Sequence, residues 1–279
     1  MGFFRFDYNK AGAGVAKGAP RKKAFFAFWD IYFSKLWKFI KLNFITLLFC
    51  LPIITIGPAL TGMTKVLRNF VLDKNSFVFH DFWKGFKQSF KKSLPIGMID
   101  VIIAVSSILG LQIYPQMAQE SQTGGLFFIA LCVISLSFAF TLLMVNFYIF
   151  PMLAATDLSV KDILKNSFFL TCVSFKRNFI TFLIVLFTSL ILLFTFFMSP
   201  DVFLLILPVF PISFLGFVIM FNTYPQIQKY VINPYYEGRG EENPEYAHLK
   251  SAPDGNSLFV DKGGSETPIP KKSKGKTIS

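Results

Sequence analysis

Four stretches of 20 or more residues, at 95–117, 126–151, 179–198 and 202–226, pass without a single Lys or Arg, and Asp100 is the only acidic residue in any of them. A helix needs about 20 mostly apolar residues to cross the hydrocarbon core of a bilayer, and a charge at mid-depth costs about 2.5–3.5 kcal/mol on insertion scales. Runs of this length and purity therefore predict transmembrane helices. Composition points to the same solvent: 53% of residues are hydrophobic, 37 are Phe, and the mean hydropathy is +0.52. Lipid suits such a chain better than water.

The net charge of +12 falls in blocks, at residues 1–41, 65–92, 161–177 and the last few positions, with almost none between them. The links alternate accordingly. Residues 115–125 and 199–201 hold no Lys or Arg, whereas 152–177 holds Lys161, Lys165, Lys176 and Arg177. By the positive-inside rule the poor links face out and the rich one faces in, which places both termini in the cytoplasm. Short basic blocks between spans are the wrong pattern for a nucleic-acid surface, so no nucleic-acid partner is expected. The basic start lacks a nearby apolar run and a cleavage site, so it does not read as a cleavable signal peptide. Gly2 has Phe6 where a myristoylation signal needs Ser or Thr.

The remaining apolar run, 42–64, has basic blocks on both sides, and a single crossing there would contradict the charge rule. In CLPIITIGPALTG, Pro52 and Pro58 each remove a backbone donor, and Gly57 before Pro58 favours a break. The expectation is a broken hairpin over 42–72: one helix to about Leu51, a turn across Pro52, Thr55, Gly57 and Pro58, and a second helix returning through Phe70. A tilted single span with an external N-terminus is the alternative.

Three segments read as amphipathic helices lying in the membrane interface. At 25–41, Phe25, Trp29, Tyr32, Phe33, Leu36 and Ile40 recur at helical spacing. At 77–93, Phe79, Phe82, Trp83, Phe86 and Phe90 do so. A third covers 162–177. Aromatic bodies sink to headgroup depth while lysine stems reach anionic lipid, so Lys35, Lys38, Lys84, Lys87, Lys91 and Lys92 are predicted headgroup contacts. KLNFIT (41–46) matches KRNFIT (176–181), DFWK (81–84) parallels DILK (162–165), and Asn146, Tyr148 and Pro151 are echoed by Asn222, Tyr224 and Pro225. Two readings stand: a triplicated unit of interfacial helix plus membrane hairpin, or chance matches in a chain rich in Phe and Ile. The fold expected is an all-α polytopic membrane protein with four transmembrane helices and the broken N-terminal hairpin. Its parts are a basic cytoplasmic lead (1–24), a helical membrane domain (25–236) and a polar, disordered cytoplasmic tail (237–279).

Chemistry-bearing residues are sparse. Cys50, Cys132 and Cys172 show no paired spacing, and His80 and His248 have no evident partner, so neither a metal nor a cofactor is predicted. No paired carboxylates, nucleophile elbow, metalloprotease helix or phosphate loop occurs, and an enzyme is not expected. Asp100 is the intramembrane ionisable residue and hence a functional candidate, and Asn146 and Asn222 are further candidate intramembrane polar residues. Its position just beyond Pro95 suggests neutralisation by water and by Lys91 and Lys92. Asn43, Asn178, Asn146 and Asn222 sit near helix ends, where an amide bonds between helices.

The segment NFITLLFCLPIITIGPALTGMTKVLRNF (43–70), followed by DFWKGFKQSFKKS (81–93), resembles the YesL-like family of bacterial membrane proteins of unknown function. PIITIGPA (52–59) and DFWKGF (81–86) are the most specific parts, within a likeness over roughly 25–236. The resemblance implies a bacterial plasma-membrane protein. Genes of that family often lie beside carbohydrate uptake and degradation systems, which implies an accessory or regulatory role in carbohydrate use, with sugar-transporter subunits as partners. No catalytic residue is carried over. The alternative is a small transporter or channel with its pathway through the broken 52–58 segment.

Overall fold

The computed structural model describes residues 24–121 and 124–245. The basic lead before Ala24, the tail from residue 246 and His248 lie outside them. Among the described residues every regular element is a helix: α1 (Ala24–Ser34), α2 (Leu36–Cys50), a 3₁₀ turn (Ile53–Thr55), α3 (Ile56–Val71), α4 (Val78–Glu120), α5 (Gly125–Ala155), α6 (Val160–Val173), α7 (Phe175–Met198), α8 (Pro200–Ile206), α9 (Pro211–Ile227), a π turn (Gln228–Ile232) and α10 (Asn233–Glu237). Three of these, α4, α5 and α7, are long and apolar enough to cross a membrane, and α8 with the helix beyond it forms a fourth candidate span bent by 56°. The chain is a multi-pass helical membrane protein.

The 202–226 run is thus broken, and its sequence explains why. Pro208 and Pro211 each lack a donor, and α9 begins with Pro211 as its first residue. Asn43, fully buried on α2, repairs the gap. Its Nδ2 donates to Leu207 O at 2.8 Å and its Oδ1 accepts from Ser213 N at 3.0 Å. Freed backbone groups inside a membrane protein need such partners.

The hairpin of α2 and α3 enters and leaves on one side, because Lys35 Nζ meets Asp73 Oδ1 at 2.6 Å and so ties the residue before α2 to the turn just after α3. Asp73 holds φ at +50°, a left-handed closure that Asp tolerates better than most residues. From Lys41 to Cys50, and again from Ile56 to Lys65, each arm rises only about 14 Å at 1.5 Å per residue, against a core about 30 Å thick. The basic blocks therefore bracket a hairpin whose arms are each too short to span the core alone. The break occupies Leu51 to Thr55, earlier than the proline pattern suggests, and Gly57 and Pro58 are buried in the first turn of α3.

All three interfacial readings change. The first aromatic segment divides at Lys35 into α1 and α2, and it packs on protein as well as facing outward. Tyr32 is buried, and the Phe28 ring lies 4.7 Å from Phe217 and 5.3 Å from Phe221. The second is not a separate helix, because it runs without interruption through Pro95 into the span, making α4 43 residues long. Its aromatic stripe finds a protein partner: Phe49 at the end of α2 stands 5.2–5.7 Å from Phe82, Trp83 and Phe86. The third divides at Ser174 into α6 and the start of α7; α6 opens on Ser159, whose Oγ accepts from Asp162 N.

The core lies at the basic end of the bundle. There the lower parts of α2, α3, α5 and α9 bury Phe39, Leu67, Phe70, Tyr148 and Phe217 almost completely. Arg68 Nε donates to Tyr224 Oη at 2.7 Å, and Lys92 Nζ to Leu158 O at 2.9 Å, which draws the ends of α3 and α9, and the α5–α6 link, to that side. At the other end the α4–α5 and α7–α8 links carry no Lys or Arg.

Candidate functional site

Glycine sets how closely α3 and α4 approach. A Cβ on Gly97 would stand 2.5 Å from Gly57 Cα, and one on Gly85 would stand 3.1 Å from Gly62 Cα. Backbone therefore touches backbone at two levels, the close-packing device of membrane helices. Asp81 Oδ2 adds a polar tie at the start of the seam, accepting from Ser76 Oγ at 2.6 Å and Asn69 Nδ2 at 3.1 Å. PIITIGPA supplies Gly57 to one level of the seam and DFWKGF supplies Gly85 to the other.

The break itself is self-contained. Thr55 Oγ1 lies 2.6 Å from Phe49 O and 2.8 Å from Pro52 O, and Thr55 N donates to Pro52 O at 2.9 Å. Leu51, Ile53 and Ile54 are exposed. A turn that satisfies its own carbonyls and shows apolar side chains suits lipid contact rather than a polar pathway.

One turn beyond Gly97 on α4, Asp100 Oδ1 accepts from Asn146 Nδ2 of α5 at 2.9 Å. The pair sits in the wall of a cavity of about 430 Å³ whose lining is otherwise almost wholly apolar, including Leu60, Met63, Ile103, Leu142 and Leu215. None of residues 52–58 lines it. The expectation that Lys91 and Lys92 neutralise Asp100 does not hold. Asp100 is about 12 Å along the helix from Lys92 at 1.5 Å per residue; Lys92 turns to the carbonyls of Asp157 and Leu158, and Lys91 is exposed. Asn146 Oδ1 is buried without a partner. Asn222, grouped with these two from sequence, is elsewhere: its Nδ2 donates to Thr181 Oγ1 at 3.1 Å.

The predicted headgroup lysines divide. Lys84, Lys87 and Lys91 are exposed, with Lys87 Nζ 4.8 Å from the Trp83 ring centre, and Lys38 is half-buried. Lys35 and Lys92 are committed inside the protein, to Asp73 and to the carbonyls after α5. Sequence reasoning missed the glycine seam and the buried Tyr148, whose Oη donates to Asn178 Oδ1 at 2.6 Å. The repeated Asn-Phe-Ile-Thr was the signal, because Asn43 and Asn178 are both buried clamps, and the aligned tyrosines, Tyr148 and Tyr224, both carry hydroxyl hydrogen bonds.

Residues 39–111, which run from α2 through the seam and past Asp100, match the family model described as "Protein of unknown function, DUF624". An uncharacterized protein YesL of Bacillus subtilis (strain 168) is 30% identical over 146 residues, covering 51% of this chain and 64% of the relative. Over that stretch the chain is similar to YesL. The matched stretch spans just under two thirds of YesL's length, and the family model ends on α4, so the DUF624 match holds Asp100 but not Asn146. No solved structure matches the chain.

Proposed function

We propose that this protein is a non-enzymatic accessory or regulatory component of a bacterial carbohydrate uptake or utilisation system, seated in the plasma membrane with both termini cytoplasmic. The observation that carries the reading is the platform at the basic end. Residues 78–92 of α4 extend about 21 Å at 1.5 Å per residue before Asp100's span begins, and they present Lys84, Lys87 and Lys91 beside exposed Phe77 and Phe79. Aromatic and cationic side chains on a rigid helix suit a protein partner lying against an anionic lipid surface. The carbohydrate context comes from the family resemblance. A pathway through the hairpin break, the competing reading, has less support, because the break is self-satisfied and none of residues 52–58 lines the cavity.

Photocrosslinkers placed at Lys84 and Lys87 in native membranes are expected to capture subunits of a sugar uptake system, and the double substitution Lys84→Glu, Lys87→Glu to abolish the capture. Crosslinks to lipid alone, or sugar flux in proteoliposomes holding only this protein, would overturn the reading. With the native cysteines replaced by Ser, Asn75→Cys is expected to resist an impermeant thiol reagent in intact cells; labelling there would reverse the orientation.

A further inference from the structure

We propose that the cavity between α3, α4, α5 and α9 binds a lipophilic ammonium ion, with the protonated amine against Asp100 and a compact apolar body among Leu60, Met63, Ile103 and Leu142. The inference goes beyond the accessory reading and does not rest on it.

Three observations converge. The volume, about 430 Å³, falls in the range of about 300–1,000 Å³ typical of small-molecule sites. Asp100 has no cation beside it: among the described residues no Lys or Arg is within ion-pair distance, and Lys92, the nearest basic residue along α4, bonds the carbonyls of Asp157 and Leu158. Acceptors also outnumber donors. Asn146 gives an N–H to Asp100 Oδ1, yet its own Oδ1 is buried without a donor. Thr64, the other polar residue on the wall, places its hydroxyl against Thr61 O and Phe150 O. A carboxyl group surrounded by apolar side chains needs a partner before it can hold charge cheaply. The missing component is a positive group rich in donors.

Ligand chemistry narrows further on the same grounds. A divalent cation wants several oxygen ligands, whereas no group of three or more His, Cys, Asp or Glu among the described residues could hold a metal. A free sugar carries a hydroxyl on nearly every carbon, and each would need a partner. With two polar side chains in reach and one more already engaged, this wall cannot supply them. An ammonium on a hydrocarbon frame needs one carboxylate and an apolar surround, which is what the cavity has. Asn146 is a positioning residue, fixing the carboxylate through Oδ1 and leaving Oδ2 for the ligand.

The test uses the full chain in lipid nanodiscs and two probes of one shape, radiolabelled 1-adamantylamine and uncharged 1-adamantanol, with binding to empty nanodiscs subtracted. Adamantylamine is expected to bind saturably at one per chain, and adamantanol at least about tenfold more weakly, as charge-assisted hydrogen bonds require. Asp100→Asn should reduce amine affinity by about tenfold or more and bring the two probes level. Ala139→Phe, which fills the cavity from α5 without touching the pair, should abolish binding of both. Equal binding of amine and alcohol to the unaltered chain, amine binding unchanged by Asp100→Asn, or no saturable amine binding would each overturn the proposal. If Asp100→Asn fails to fold, the amine-to-alcohol ratio and Ala139→Phe still decide.

Discussion

Polar side chains behave differently in the two halves of the bundle. Bonds from one element to another concentrate near the basic end: Asn43 to the α8–α9 break, Tyr148 to Asn178, Ser89 to Leu153 O, Lys92 to Leu158 O. In the outer half hydroxyls bond within their own helix, as Ser137 does to Val133 O, Thr141 to Ser137 O, Thr188 to Ile184 O and Thr195 to Ile191 O. Large apolar side chains follow the same division. Phe39, Phe82 and Phe217 are buried against protein, while Phe187, Phe194 and Phe197 are each about two-thirds exposed. A helix surrounded by lipid gains little from burying Leu or Phe against a neighbour, because lipid tails are equally apolar. Specific packing therefore concentrates where glycines allow close approach and amides reach across. The outer half relies on helices that satisfy themselves.

The contrast can be tested at matched residues, with unfolding followed by Trp29, Trp37 and Trp83 fluorescence in detergent. Glycine separates the halves most strongly. Gly97→Ala forces a Cβ into the Gly57 backbone, which cannot move aside, so a loss of about 3 kcal/mol is expected. Gly110→Ala meets side chains alone, the Tyr114 ring at 3.0 Å and Ser135 Oγ at 3.5 Å, and should stay within about 1 kcal/mol. Equal effects would mean that the seam is no tighter than the outer helix pair. Asn43→Ala strands Leu207 O and Ser213 N and should cost about 1–3 kcal/mol, against about 0.5 kcal/mol or less for Ser137→Ala. The smallest difference expected is Tyr148→Phe, about 1 kcal/mol, through the acceptor left on Asn178. A neutral result there would show that water reaches the core.

Much of the architecture was legible because membrane insertion reads charge and length directly. The runs 126–151 and 179–198 fall inside α5 and α7, and the basic blocks on both sides of 42–64 required a chain that returns. What stayed hidden depends on partners distant in sequence. An aromatic stripe with lysines beside it has the same periodicity whether it rests on lipid or on protein, and only the position of Phe49 decides for Phe82 and Phe86. Gly57 looked like part of a break because it precedes proline, whereas its lack of a Cβ serves contact with Gly97, 40 residues on. Asp100 stood out as a lone charge in an apolar run, but its pairing with Asn146 crosses 46 residues and no periodicity announces it.

The hairpin of α2 and α3 leaves the ribosome before the helix it leans on. Until α4 has entered the bilayer, Gly57 has no groove to meet and Phe49 has no rings to cover, so residues 36–71 can settle only against a neighbour that does not yet exist. The placement of this hairpin thus waits on a segment made after it.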